Sequence, residues 1–131
     1  MKIRLWLARL AIAIVTAWNL QAAAAFFLAP GRFAPGFELS GLPGEAAIRG
    51  MSVLFVMWNV PYLVALWHPQ RHRFSLWQAL VMQTIGVLGE GYIYIWLPAA
   101  HAVLRSSILR FMAFDMAGLI LLVAALALSR R

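Results

Sequence analysis

The sequence predicts an all-α fold: an integral membrane antiparallel four-helix bundle in one domain, 1–131. Three observations carry that prediction. Of 131 residues, 64% are hydrophobic and 11% charged, with mean hydropathy +0.83, whereas a soluble domain is roughly half apolar and a quarter charged. The apolar residues gather into four stretches, 10–28, 50–67, 77–97 and 108–128. Each is about 18–21 residues, which matches a hydrocarbon core of ~30 Å at ~1.5 Å rise per residue. Finally, the basic residues, all prolines but Pro61 and several tryptophans fall between or at the ends of these stretches, as at membrane borders. Helices are required, because an isolated strand or coil would leave backbone groups unpaired in lipid.

The first stretch follows Met1-Lys2-Ile3-Arg4 and ends in Ala22–Ala25, the layout of a secretory signal with a small-residue cleavage site. The apolar run continues through Phe26, Phe27 and Leu28, so an uncleaved first span is expected. Residues 29–48 then read as a long external loop rich in Pro and Gly, with Phe33 and Phe37 dipping into the membrane interface. Its end, from Pro43 and Glu45 to Arg49, has a helix-start pattern with an acid-to-base i,i+4 pair. The second stretch carries Pro61, which cannot donate to the carbonyl of Met57 and so kinks the helix or frees that group. The segment His68–Arg73 is a short basic loop, and the region 98–107 a second external connection.

With four spans both termini lie on one side. That side carries Lys2, Arg4, Arg9, Arg71, Arg73, Arg130 and Arg131 and no acid. The other carries Arg32, Arg49, Arg105 and Arg110, diluted by Glu38 and Glu45. The positive-inside rule then places both termini in the cytoplasm. Trp6, Trp67, Trp77 and Trp96 fall near the borders, while Trp18 and Trp58 lie deeper. The net charge of +7 is spread over helix ends without interleaved aromatics. It therefore points to the lipid bilayer rather than to nucleic acid.

Several function classes are excluded by residue types. There is no cysteine, which removes disulfides, thiolate metal sites and redox pairs. The only lysine is Lys2, so no span carries a Schiff-base lysine. His68, His72 and His101 lie at helix ends or in loops, and His68 and His72, at zinc-like spacing, are interrupted by Pro69. No metal site and no cofactor is expected. No nucleophile elbow, zinc helix or phosphate loop occurs, so no catalytic residue is assigned.

The sharpest clue is a pair of acids. Glu90 and Asp115 are the only carboxylates within the apolar stretches. Placing one in hydrocarbon costs ~2.5–3.5 kcal/mol on insertion scales. Each lies seven residues from the external end of its stretch, a depth of ~10 Å. Asn19, Gln21 and Asn59 fall near the same level, and Gln83, Gly86, Glu90 and Tyr94 share one helical stripe. Two carboxyls at one level can share a proton, hold a cation or pair with arginine. Arg49, Arg105 and Arg110 lie toward that side and are the candidate charge partners.

The layout also resembles the small four-span bacterial membrane proteins of the DoxX-like kind. The resemblance rests on size, four spans, and the segment Phe33-Ala34-Pro35 leading to Ala47-Ile48-Arg49-Gly50. It implies a multi-pass protein of the bacterial inner membrane and, for some such proteins, a role as an accessory subunit of a redox complex. It transfers no catalytic residue. The expected function is a non-enzymatic accessory or assembly subunit with a buried polar cluster, partnered by another membrane protein or its own copies. The alternative is a small transporter or ligand-binding protein that uses Glu90 and Asp115.

Overall fold

The computed structural model describes residues 2–130, which form helices and no strand. The helices are α1 (Lys2–Leu28), α2 (Pro30–Phe33), α3 (Gly41–Trp58), α4 (Val60–Trp67), α5 (Arg73–Trp96) and α6 (Ala102–Leu128). A 3-10 turn, Ala34–Phe37, follows α2. Three helices are long and apolar enough to cross a membrane: Lys2–Leu28, Gly41–Trp67 and Ala102–Leu128, each of 27 residues. At ~1.5 Å per residue each spans ~40 Å. Only 22–33% of the residues in their apolar windows are buried within the chain. Leu10, Leu54, Val64, Ile120 and similar side chains therefore point outward. α5 is 24 residues long and is not among the three. Gln78, Gln83, Thr84 and Glu90, with Gly86, Gly89 and Gly91, dilute its apolar character.

The expected loop at 29–48 is mostly helical instead. Pro30 starts α2 at a position where its missing N–H leaves no bond unmade. Glu38 then takes a left-handed conformation at φ 56° to end the 3-10 turn. α3 starts at Gly41, nine residues before the apolar stretch begins. Phe33 and Phe37 are half-buried, and their rings pack with Phe26, Ile48, Phe55 and Phe111. Residues 30–40 thus form a plug over one end of the bundle.

α1 packs along α3 and α6, α6 packs along α5, and α4 packs along α5 and α1. Arg4 reaches the carbonyl of Ala127 at 3.4 Å, which puts the start of α1 and the end of α6 at the same end. This is the termini end; the plug lies at the other. Arg131, counted among the basic residues above, lies outside the described residues. The break between α3 and α4 is at Asn59, in a bridge conformation (φ −82°, ψ −4°). Pro61 has no N–H to return to the preceding turn, and the Asn59 side chain donates to the Phe55 carbonyl at 2.7 Å.

Packing differs between the two ends. Toward the termini, Ala8, Ala11, Ile12, Val15, Tyr62, Ala65, Leu76, Ala79, Leu122, Ala125 and Leu126 form one core. Its five alanines let α1, α4, α5 and α6 approach closely. Toward the plug the core is aromatic, and the helices diverge around a cavity.

Candidate functional site

The cavity has a volume of about 860 Å³ and lies between the alanine-rich core and the plug. Ligand sites commonly span ~300–1,000 Å³. Its walls hold Asn19, Gln21, Asn59, Gln83, Glu90 and Asp115 together with many aromatic rings. Six of the seven candidate polar residues therefore meet at one place. The seventh, Tyr94, does not line it: its ring lies under the Arg105 guanidinium at 4.3 Å. Tyr94 lies eleven residues, close to three full turns, beyond Gln83, so it keeps the stripe's direction but sits past the cavity, at the helix end where Arg105 meets the Leu97 carbonyl.

The polar residues divide into two sets. On one wall the Asn19 amide donates to the Asn59 side-chain oxygen at 3.2 Å, tying α1 to the α3–α4 break. On the other wall runs a hydrogen-bonded relay. The Trp58 indole donates to the Tyr62 hydroxyl at 3.1 Å, and that hydroxyl donates to the Gln83 side-chain oxygen at 2.5 Å. The Gln83 amide donates to both the backbone carbonyl (3.0 Å) and the Oδ1 (3.1 Å) of Asp115. Tyr62, Gln83 and Asn59 are buried almost completely. In such surroundings each polar atom needs a partner, and the relay supplies them. Gln21, although on the wall, is largely exposed and makes no side-chain bond.

Two glycines make room for this arrangement. A Cβ at Gly86 would lie 2.8 Å from the Asp115 Oδ2 and 3.4 Å from the Trp58 ring. One at Gly118 would lie 2.7 Å from the Gln83 Nε2 and 3.2 Å from Val15. Glycine is used here for close approach, not for a special backbone angle.

Glu90 and Asp115 are neighbours on the cavity wall, from α5 and α6. They differ in what else they touch. Asp115 is held by Gln83. The Glu90 Oε2 is buried with no hydrogen-bond partner. The two acids therefore form one site, with a structural member and an unsatisfied one.

The expected arginine partners are engaged elsewhere. Arg49 lies 3.9 Å from Glu45 and donates to the Phe27 carbonyl. Arg105 donates to the carbonyls of Tyr94 (3.2 Å) and Leu97 (2.5 Å). Arg110 is on the cavity wall but donates to the Ser107 hydroxyl at 3.1 Å. Arg4 and Arg9 follow the same rule, on Ala127 and on Leu66 and Trp67. Thus Arg4, Arg9, Arg49 and Arg105 meet the carbonyls at the ends of α6, α4, α1 and α5. Those carbonyls have no helical partner and carry the negative end of the dipole. A guanidinium at a helix end finds acceptors there without entering the bundle.

Some site residues escaped the sequence reading. Trp18 and Trp58 are cavity walls, Trp18 stacking edge-on to Phe114 at 5.8 Å. Their depth within the apolar stretches was the available signal. The plug fasteners gave none. The His101 Nδ1 and the Glu38 Oε2 are 2.5 Å apart, and the Leu104 N–H donates to Glu38 at 3.4 Å. The Ser107 hydroxyl donates to the Gly36 carbonyl at 2.6 Å. The His101 hydrogen bond, with the Leu104 N–H and the histidine's charge adding to it, holds the Glu38 carboxyl below the ordinary carboxylate range. The partners lie more than sixty residues apart in sequence.

Among the described residues no group of three or more metal-ligating side chains converges. Comparison with known proteins finds no matching family model, no matching curated protein and no matching solved structure.

Proposed function

We propose that the chain is a multi-pass membrane protein that binds a cation, or exchanges it for a proton, on Glu90 and Asp115: a small transporter or ligand-binding protein. The observation that carries this reading is the Glu90 Oε2, buried beside Asp115 at a large cavity with no partner of its own. A buried acceptor left unsatisfied is costly, and an incoming cation or proton would satisfy it. In this reading α5 is the fourth span of the bundle. Its Gln83 and Glu90 line the cavity, and Leu88 and Ile95 face lipid.

Both termini then lie in the cytoplasm of a bacterial inner membrane. Arg4, Arg9, Arg71, Arg73 and Arg130 sit toward that end, in keeping with the positive-inside rule. A reporter fused after residue 131 that is active only outside the cytoplasm would overturn that orientation. The DoxX-like resemblance fits the same topology.

The test separates the two acids. Glu90→Gln should abolish cation binding or uptake while the protein accumulates and keeps its helical content. Asp115→Ala should lose binding and also lower the accumulated protein, because Gln83 keeps only the backbone carbonyl of residue 115 as acceptor. A Glu90→Gln protein that binds as wild type would sink the proposal.

The Gln83–Asp115 link favours a second reading, an accessory or assembly subunit in which the polar cluster only joins α5 to α6. Purification in mild detergent with mass spectrometry decides it: a subunit brings a larger complex, a transporter comes alone or with its own copies.

A further inference from the structure

The ring of helices is not closed on all sides. α4 packs along α5, but α3 and α5 make no extended contact. The last link between them is at Trp58, whose ring comes within 3.4 Å of a Cβ built at Gly86. From beside that point on toward the plug, α5 presents Ile85, Gly89 and Ile93, one stripe at i, i+4 and i+8. All three line the cavity, and Ile85 and Ile93 are also exposed on the outer surface, at 60% and 43%. A Cβ built at Gly89 meets nothing within 4 Å. On the opposite edge stand Phe55 and Trp58 of α3. This is a side slot with its floor at Gly86 and the unpartnered carboxylate of Glu90 one residue from its centre. The kink at Asn59 produces it: α4 stays on α5 while α3 leaves with α1.

We infer that the cavity takes a hydrophobic organic cation, which enters sideways from the lipid through the slot between α3 and α5. The inference rests on the cation reading above and deepens it. A small hydrated metal ion would need several oxygen ligands; among the described residues no third acidic or histidine ligand converges here, and the Asn59 and Gln83 oxygens already accept from Asn19 and Tyr62. Around the acids the wall carries the rings of Trp18, Phe26, Phe55, Trp58, Phe111 and Phe114, with the cavity's two arginines, Arg32 and Arg110, the latter donating to Ser107. Such rings favour a cation that is large, weakly hydrated and apolar around its charge. An entry path that borders lipid admits a ligand already dissolved there.

The experiment uses the full chain in lipid nanodiscs, with tetraphenylphosphonium as the hydrophobic cation and tetramethylammonium as the hydrophilic one. Tetraphenylphosphonium should bind about tenfold tighter or more. Gly89→Phe fills the slot from open space and should weaken it by a similar factor. Gly50→Phe, also in open space but away from the cavity, should leave it unchanged. Glu90→Gln should lose both cations. If Gly89→Phe fails to accumulate, Gly89→Leu carries the same comparison. Equal binding of the two cations, with Gly89→Phe silent and Glu90→Gln deleterious, overturns lateral entry and leaves the cation site standing. No Glu90-dependent binding of either cation overturns the cation reading and the inference with it. A dimer that Gly89→Phe disrupts would mean that a second copy fills the slot, and would also overturn it.

Discussion

The bundle around Tyr62 and the bundle around Phe26 solve the packing problem with different residues. Near the termini, alanines bring four helices together, and Tyr62 fills the remaining space with its hydroxyl bonded to Ala79 and Gln83. Near the plug, Phe26, Phe33, Phe37, Phe55 and Phe111 meet ring to ring at 4.9–6.1 Å. Large flat rings hold the helices apart, and the space they cannot fill is the cavity. The dense half thus carries stability and the hollow half carries the site. The two acids lie at the boundary, Asp115 tied to the dense side through Gln83 and Glu90 turned toward the hollow side.

That division can be broken from the dense side first. Tyr62→Ala removes a fully buried ring and its bonds, and losses of this kind cost ~3–5 kcal/mol. The protein should unfold at markedly lower temperature in detergent or fail to accumulate; a small change would show the dense half to be less decisive than its packing implies. Gly118→Ala comes next, since its Cβ would press on the Gln83 amide and Val15. Overpacking there should cost ~1–3 kcal/mol, read as a lowered melting temperature. Phe111→Ala, in the hollow half, should cost about 1 kcal/mol, the scale of its aromatic pairs. It should also widen the range of cations bound, which a competition series would measure.

The smallest effect concerns the plug. The Glu38 carboxyl is held below the ordinary carboxylate range by His101. A lowered acid stabilises the folded state above its ordinary value, about 4.3 for glutamate. That contribution is lost as pH falls through the lowered value. The backbone amides of residues 30–40 should therefore exchange hydrogen faster as pH drops below that window, after correction for the intrinsic rate. Glu38→Gln should remove the dependence; if it persists in that variant, the fastener is elsewhere.

Much of the fold was legible because its signals are local. Apolar runs of sufficient length mark the helices at Lys2–Leu28, Gly41–Trp67 and Ala102–Leu128, and Pro61 marks the break beside Asn59. The depth of Glu90, Asp115, Asn19, Gln21 and Asn59 could be counted from the helix ends, since helical rise is constant. The plug was not legible. Its prolines and glycines read as an open loop, because turn residues indicate only where a chain bends and not what it bends onto. The partners of Arg49 and Arg105 were hidden for a related reason. Charge alone suggested the two buried acids, while the helix-end carbonyls these arginines meet are present in every helix and leave no mark in the side-chain sequence.

By itself, the sequence determined helical structure, apolar lengths and the level of each polar residue, all of which follow from composition and a fixed rise per residue. Only the tertiary structure decided which of these residues face one another. Helix rotation and the divergence of α3 from α5 depend on how rings and small residues pack across helices, and that is a property of pairs distant in sequence. It gave Glu90 and Asp115 different partners, took Tyr94 off the cavity wall, set Arg49 and Arg105 on helix-end carbonyls and opened the slot beside Gly89.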